Sequence, residues 1–483
     1  MNIKTSLLYF LVTIQVILIH FSTHHYETLD WDINAFLVTS LEFGRGNLPF
    51  EFQYENKQPL LFLIFFFFSS ITQNSVLVIK LINDLVIVFL SASMTKLYTN
   101  RALSFWSFVP GFAFIALTSN VWFHPGYSEY LFLVFIVLAN FVYQKSTSVF
   151  KFLFIGSLLA ISTLVNLGAI FFLLVYFLII YFKKDIKFNN FLYLVFGFLI
   201  VHFLTFLIYV FFDALEEYLI SFVIIPFSYT SSDLSFLSSL KVFITALIQY
   251  DLFVFLLLVL LVSLMLFKSL SIIRDRNFKN YDLEILLNIF ASLFFYGVAN
   301  KGYYHHLIPI LYFLPFGLFW LSKKFSKIIV LFLIISSLIS INNKFLGQSL
   351  QNIENFKNLE ENYPAKIAYN YIEEYIDNGD VVFSTNHILI LYYANIQNAS
   401  YIVHPALYSY SEITDVLIKF NKISSNEIAD TLNSKPKVIE GTFGKVGDFN
   451  ESDYFKVNLE DINFNLLNYW EDGEINIYIL KDK

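Results

Sequence analysis

The sequence predicts an α-helical polytopic membrane protein with about 11 spans, a short re-entrant or interfacial segment, and a small C-terminal exoplasmic α/β domain. Composition gives the first indication. Of the 483 residues, 57% are hydrophobic and 14% are charged, the mean hydropathy is +0.63, and Phe alone supplies 59 residues. Soluble globular proteins carry about 25% charged residues, so an ordinary cytosolic enzyme is excluded. Because the chain has no cysteine, disulfides and thiolate metal sites are excluded as well.

The distribution of charge divides the chain near residue 343. Residues 1–343 contain 20 basic and 17 acidic side chains, a net charge of +3, whereas residues 344–483 contain 11 and 21, a net charge of −10. The acidic tail has no apolar run near the roughly 20 residues that a spanning helix needs. We therefore predict a transmembrane domain over 1–343, with its first exoplasmic loop at 24–75, and a soluble exoplasmic α/β domain over 344–483. Helices are expected at 365–376 and 387–394, and strands at 380–384, 400–403 and 474–480.

Long apolar runs predict the spans. The first is followed by polar residues rather than by a small-residue cleavage site, which indicates an uncleaved span and not a signal peptide. A separate run, 59–70, is only about a dozen residues long, which favours an interfacial or re-entrant segment. The predicted spans cover residues 6–21, 76–95, 102–117, 128–143, 150–164, 169–182, 191–212, 251–267, 283–299, 304–322 and 328–341.

Basic residues predict the orientation. If the run 59–70 does not cross the membrane, nearly all Lys and Arg of the connecting segments lie on one side. Short cytoplasmic loops are enriched in Lys and Arg, so that side is predicted to be the cytoplasm. The opposite side then holds only Arg45, Lys57, Lys241 and Lys301. We expect a multi-pass protein of the plasma (inner) membrane, with a cytoplasmic amino terminus and with the loop 24–75 and the tail on the exoplasmic or periplasmic side.

The first exoplasmic loop contains the most informative polar residues. Asp30 and Asp32 follow the first span, and Lys57 precedes the short apolar run. A carboxylate beside the membrane can act as a general base, and a cation at the same depth can hold a lipid-linked phosphate. Taken alone, such an acidic pair is more often two solvated loop residues.

The spacing of these residues resembles a known family. Asp32, the turn Gly46-Asn47-Leu48-Pro49-Phe50 and the segment Lys57-Gln58-Pro59-Leu60 are similar to the first exoplasmic loop of GT-C glycosyltransferases of the aminoarabinose transferase and protein O-mannosyltransferase type. In that family the turn ends in Tyr and the segment reads Lys-Pro-Pro-Leu. Here Phe50 and Gln58 depart from those patterns, and the acidic motif is Asp-x-Asp rather than an adjacent pair, which leaves the acceptor subclass open.

The resemblance implies transfer of a sugar from a polyprenyl-phosphate donor to a lipid, glycan or protein acceptor, with inversion. It places Asp32 as the base that takes the acceptor's proton, Asp30 in an assisting role, and Lys57 at the donor phosphate. Electrostatics supports the role of Lys57. Negative charge grows on the departing phosphate, and a cation there stabilises the transition state more than the ground state. The resemblance implies that no cofactor is required, since related lipid-phosphate transferases commonly work without a metal; metal dependence stays open, and Asp30 and Asp32 are the residues that could hold a divalent ion against phosphate.

Further outward-facing residues are weaker candidates. Arg45, Lys241 and Lys301 are expected as additional phosphate contacts, with Lys241 closing a long outer loop at 213–240; ordinary loop cations are the equal alternative. Contacts to sugar or acceptor are expected from Tyr54, Glu129, His305 and His306. Tyr and His are also common at membrane interfaces without any such role.

A polytopic transporter is the main alternative. Lys80 and Asp84 lie four residues apart on one predicted helix face within an apolar run, as an intramembrane ion pair would. A helix-packing pair is the commoner explanation, and no internal repeat of the kind typical of transporters is found. A surface receptor is a third class, although one or two spans would suffice for it. No nucleotide-binding loop or nucleic-acid-binding pattern is found.

Overall fold

The structure is a computed structural model that describes residues 3–27, 30–97, 105–119, 121–148, 150–182, 188–229, 236–250, 252–275, 280–299, 303–318, 346–377, 379–441, 453–459, 462–463, 466 and 475–481. These residues form a predominantly helical chain with a small four-stranded sheet near the C-terminus. They divide into two compact units. The helical unit comprises Met1–Ser22, Leu81–Leu204 and Ser232–Gln351, and the mixed unit comprises Thr23–Lys80, Thr205–Ser231 and Asn352–Lys483. The predicted domain boundary at 343–344 lies outside the described residues.

Helices that belong wholly or mainly to the helical unit follow the predicted apolar runs, except Phe236–Tyr250, which was not predicted. Tight 3-10 turns connect several of them, at Phe21–Thr23, Val121–Phe123, Leu167–Ile170, Tyr304–Leu307 and Leu314–Gly317. The helices are Ile3–His20, Val76–Ser93, Phe105–Leu117, Ser128–Lys145, Lys151–Val165, Phe171–Phe182, Phe188–Phe211, Phe236–Tyr250, Leu252–Asp275, Asn280–Ala299 and Ile308–Phe313. The predicted span at 328–341 lies outside the described residues.

Among the described residues, three helices are long and apolar enough to cross a membrane: Val76–Ser93, Phe188–Phe211 and the stretch Val254–Ser271. At 1.5 Å per residue, an 18-residue helix is about 27 Å long, close to the thickness of a hydrocarbon core. Other apolar helices are shorter, among them Pro59–Thr72 and Lys151–Val165. The helix Pro59–Thr72 is about 21 Å long by the same rise, which is short for a span, as its sequence predicts.

Two facing glycines allow close packing of the helices Lys151–Val165 and Phe188–Phe211. A Cβ atom on Gly156 would lie 2.1 Å from the backbone oxygen of Leu194, and one on Gly197 would lie 2.1 Å from that of Leu153. Ser157 donates a hydrogen bond across the same crossing to the Gly197 carbonyl, at 3.2 Å. Small residues at a crossing are typical of helices that pack in lipid, where close van der Waals contact replaces the hydrophobic effect.

The segment 213–240 differs from its prediction. It is helical over Leu215–Leu219, a π-helical turn at Ile220–Ile224, and Ile225–Tyr229, and a further helix begins at Phe236. Over its described residues the predicted loop is therefore mostly helical. The reason is that Tyr218, Ile220 and Ile225 are buried, so the segment gains packing that an open loop would not have. Its location on the outer side stays a prediction.

The mixed unit combines short helices with the sheet. Its strands are β1 (Val382–Ser384), β2 (Val438–Glu440), β3 (Tyr454–Lys456) and β4 (Ile477–Leu480), in the order β1-β2-β4-β3. β1 and β2 are parallel, whereas β4 runs antiparallel to both β2 and β3. The α-helices lying wholly in this unit are Trp31–Gly44, Pro59–Thr72, Leu215–Leu219, Ile225–Tyr229, Phe356–Leu359, Pro364–Ile372, Leu389–Ala394, Ser411–Lys419 and Glu427–Asn433.

Most of the tail predictions are confirmed in shortened form. The strands predicted at 380–384 and 474–480 occur as β1 and β4, and the helices predicted at 365–376 and 387–394 occur as Pro364–Ile372 and Leu389–Ala394. The strand predicted at 400–403 was wrong, because Ile402 forms only an isolated parallel bridge to Tyr54. Strands β2 and β3 were not predicted.

Candidate functional site

Asp30 and Asp32 lie at the start of the helix Trp31–Gly44, which begins inside the predicted first loop. Asp30 is the N-cap residue in an extended conformation, and its Oδ1 accepts the backbone N–H of Asp32 at 2.8 Å. This bond satisfies one of the unpaired donors of the first turn. Asp32 itself lies in that turn, where the helix dipole favours negative charge. Asp30 therefore fixes the backbone that presents the Asp32 side chain.

The Asp32 carboxylate contacts two side chains, one at each oxygen. Its Oδ1 lies 2.9 Å from Nε2 of His404, and its Oδ2 lies 3.5 Å from Nζ of Lys57. The side chains of Asp32 and Lys57 are 22% and 17% exposed. The predicted base and the predicted phosphate-binding cation are thus in direct contact and remain accessible to a ligand.

A short backbone ladder joins the segments that carry these side chains. The N–H of Tyr54 donates to the Tyr401 carbonyl at 2.6 Å, and the N–H of Val403 donates to the Tyr54 carbonyl at 3.1 Å. The Tyr54 ring is fully buried and stacks on the Tyr401 ring, with 6.0 Å between ring centres. Tyr54, predicted to contact sugar or acceptor, therefore anchors the loop that carries Lys57 beside the segment that carries His404.

Hydrogen bonds assign the proton position on neutral His404. Its Nδ1 accepts the backbone N–H of Ala406 at 3.1 Å, so the neutral ring carries its proton on Nε2 and donates it to Asp32. Burial lowers the pKa of His404, but the hydrogen bond to Asp32 and the charges of Glu55, Asp32 and Asp30 outweigh burial and raise it above 6.5 overall. His404 is therefore held in one orientation by bonds at both nitrogens.

Glu55 adds a second acidic group to this cluster. Its side chain is 2% exposed, and its Oε2 has no hydrogen-bond partner among the described residues. Burial raises the pKa of Glu55 to about 7, with the charge of Asp32 adding to the rise and the charges of His404 and Lys57 opposing it. The cluster of Asp32, Lys57, His404 and Glu55 therefore includes a buried carboxyl group with a pKa near neutrality.

The other predicted phosphate contacts are placed differently. The Arg45 guanidinium donates to the buried carboxylate of Glu42 at 2.6 Å, and the side-chain amides of Asn47 and Gln397 donate to the same carboxylate. Lys241 is exposed on the helix Phe236–Tyr250 in the helical unit, and Lys301 lies outside the described residues. Arg45 is thus engaged by a carboxylate, as Lys57 is.

Glu129, His305 and His306 come together within the helical unit. Glu129 lies in the first turn of the helix Ser128–Lys145, and the two histidines lie in the 3-10 turn Tyr304–Leu307. Nε2 of His306 lies 3.7 Å from Oε1 of Glu129, and all three side chains are buried. All three residues were predicted to contact sugar or acceptor, but the contact of Glu129 with His306 was not predicted.

Lys80, half of the predicted intramembrane pair, interacts with polar groups of the mixed unit. Its ammonium donates to the Tyr26 carbonyl and to the Tyr363 hydroxyl, and it lies 4.6 Å from the centre of the Tyr363 ring. Asp84 is buried on the same helix, Val76–Ser93. Lys80 thus has contacts that tie the start of its helix to neighbouring segments, as expected of a residue with a packing role.

Two residues of the Asp32 cluster were not predicted. His404 lies 372 residues from Asp32 in the sequence, so no local spacing connects them. Glu55 lies within the predicted first exoplasmic loop, and its position two residues before Lys57 was the available signal. No protein-family model matches the sequence, and no curated protein is similar to it at a significant level.

Proposed function

We propose that this protein is a polytopic membrane glycosyltransferase of the GT-C type, which transfers a sugar from a polyprenyl-phosphate donor to an acceptor on the exoplasmic face, with inversion. The observation that supports this most is the contact of Asp32 with both Lys57 and His404. It provides a base, a cation and an orienting donor in one accessible cluster. The family resemblance of the loop supplies the reaction class.

In the proposed reaction, the acceptor hydroxyl attacks the anomeric carbon from the side opposite the lipid phosphate. Asp32 takes the hydroxyl proton as the new glycosidic bond forms and the bond from the sugar to the phosphate oxygen breaks. In this proposal Lys57 pairs with the departing phosphate, whose negative charge grows along the reaction. His404 holds the Asp32 carboxylate in position throughout.

Membrane location supports the choice of a lipid-linked donor. The helix Phe188–Phe211 leaves large apolar side chains uncovered, among them Phe203 at 57% and Phe211 at 85% exposure. Exposed apolar side chains along a helix of this length and composition are suited to lipid contact. We infer a multi-pass arrangement of about 11 spans, with the acidic tail on the exoplasmic side.

The test is transfer of labelled sugar from membrane lipid carriers by vesicles that contain the protein. Asp32→Asn and Lys57→Ala are each expected to reduce transfer at least about 100-fold, the usual contribution of a general base or a charge-stabilising group. The matched controls are Asp453→Asn and Lys435→Ala, which remove the partners of an exposed ion pair in the same unit. Full activity of both site variants would refute the assignment, and solute flux without transfer would favour the transporter.

A further inference from the structure

Glu129, His305 and His306 form a buried group of metal-ligand type in the helical unit. One ligand atom from each side chain lies within 4.8 Å of the other two, and the three side chains are 0%, 7% and 8% exposed. In a tetrahedral zinc site with bonds of about 2.1 Å, ligand atoms lie about 3.4 Å apart. The 3.7 Å between Glu129 Oε1 and His306 Nε2 is close to that spacing.

His305 supplies an independent observation. Its Nε2 is buried and has no hydrogen-bond partner among the described residues. A buried imidazole nitrogen without a partner is costly unless something else satisfies it. The His305 ring is held in place by stacking on Tyr127, with 4.3 Å between ring centres and 19° between planes. The protein thus holds an unsatisfied imidazole close to a carboxylate and a second imidazole.

Surrounding side chains orient the Glu129 carboxylate. The Asn166 amide donates to Oε1 at 3.2 Å, and the Ser128 hydroxyl donates to Oε2 at 3.1 Å. Asn166 also donates to the Ser128 hydroxyl at 3.0 Å, which links the two. Supporting hydrogen bonds of this kind fix ligating carboxylates in metal sites and leave a lone pair free on each oxygen.

We propose that Glu129, His305 and His306 bind a divalent transition-metal ion, with zinc as the expected occupant. Two imidazoles and one carboxylate are the donor set of zinc sites that keep a fourth position for water or another ligand. The ion would link the first turn of the helix Ser128–Lys145 to the turn Tyr304–Leu307. This inference is independent of the proposed sugar transfer, and it assigns to a metal three residues that the sequence analysis placed at the sugar or acceptor.

The test is zinc content of the purified full-length protein, stripped with chelator, equilibrated with zinc and dialysed. Wild type is expected to retain about one zinc ion per chain, and Glu129→Gln and His306→Asn to retain well below half of that. The control is His202→Asn, which alters a histidine of the same unit that bonds Thr163 and does not belong to the cluster. Folded wild type with less than about a tenth of an equivalent, or wild-type retention in both variants, would refute the site.

A measurement on wild type alone guards against variants that fail to fold. A ligand that binds only the folded state stabilises it in proportion to the logarithm of its concentration. The thermal transition of the stripped protein is therefore expected to rise as zinc is added and to fall again with chelator. A transition that zinc leaves unchanged across a wide concentration range would contradict the proposal.

Discussion

Replacement of His404 tests the geometry of the Asp32 cluster most sharply. His404→Leu removes the N–H that Nε2 donates to Asp32 at 2.9 Å. His404→Gln can place a side-chain N–H near the same position. If His404 positions the base rather than reacting itself, the first variant loses activity and the second regains much of it.

The magnitude follows from the strength of that hydrogen bond. Hydrogen bonds to charged groups contribute about 1.5–3 kcal/mol. Since 1.36 kcal/mol corresponds to a tenfold change in rate, His404→Leu is expected to lower kcat/KM roughly 10- to 150-fold. Most of the loss is expected in kcat, because Lys57 still holds the donor phosphate.

The assay is steady-state sugar transfer from a polyprenyl-phosphate donor at fixed pH and varied donor concentration. His387→Leu is the control, since His387 is buried to a similar extent in the same unit but bonds Asn386 instead of Asp32. Equal losses in His404→Leu and His387→Leu would show a general folding effect. Unchanged kcat/KM in His404→Leu would refute the positioning role.

Three further predictions concern buried acids and helix packing. Burial raises the pKa of Glu55 to about 7, so above that pH its charged carboxylate should compete with the donor phosphate for Lys57. The donor KM should therefore rise through pH 7 in wild type and stay flat in Glu55→Gln. Burial likewise raises the pKa of Glu27 from 4.5 to about 7; its stabilising contribution is full below pH 4.5 and is lost as pH rises through 7. The thermal transition should therefore fall between about pH 5 and 8, and less so in Glu27→Gln. Gly156→Ala places a Cβ atom against a backbone oxygen and should cost about 1–3 kcal/mol, measured as a lower thermal transition, whereas Gly347→Ala enters open space and should not.

The site residues that lie close together in the sequence could be predicted from local sequence patterns. Asp32 and Lys57 were identified because the loop motif carries both within a short stretch, and their contact at 3.5 Å fits the pairing of roles. The N-cap function of Asp30 was not predicted, although Asp before an apolar stretch is a helix-start signal. The prediction for 24–75 was a loop, and it did not include the helix that Asp30 begins.

Long-range pairing explains what the sequence could not reveal. His404 reaches Asp32 only because Tyr54 and Ile402 form a parallel bridge between segments far apart in the chain. The same bridge explains why the strand predicted at 400–403 does not form. Ile402 pairs with Tyr54, which lies outside the sheet. Similarly, the segment after residue 213 is helical because residues such as Tyr218 are buried there. A hydropathy pattern does not show which residues will be buried by tertiary packing.

The separation of chemistry from donor binding tests the central claim most directly. The measurement is single-turnover transfer by purified protein preloaded with labelled polyprenyl-phosphate sugar, together with the donor Kd. Asp32→Asn is expected to bind donor at least as tightly as wild type, because Lys57 loses the carboxylate that contacts it at 3.5 Å, and to transfer at least about 100-fold more slowly, because the base is lost. A wild-type transfer rate in Asp32→Asn would contradict the assignment of Asp32 as the base.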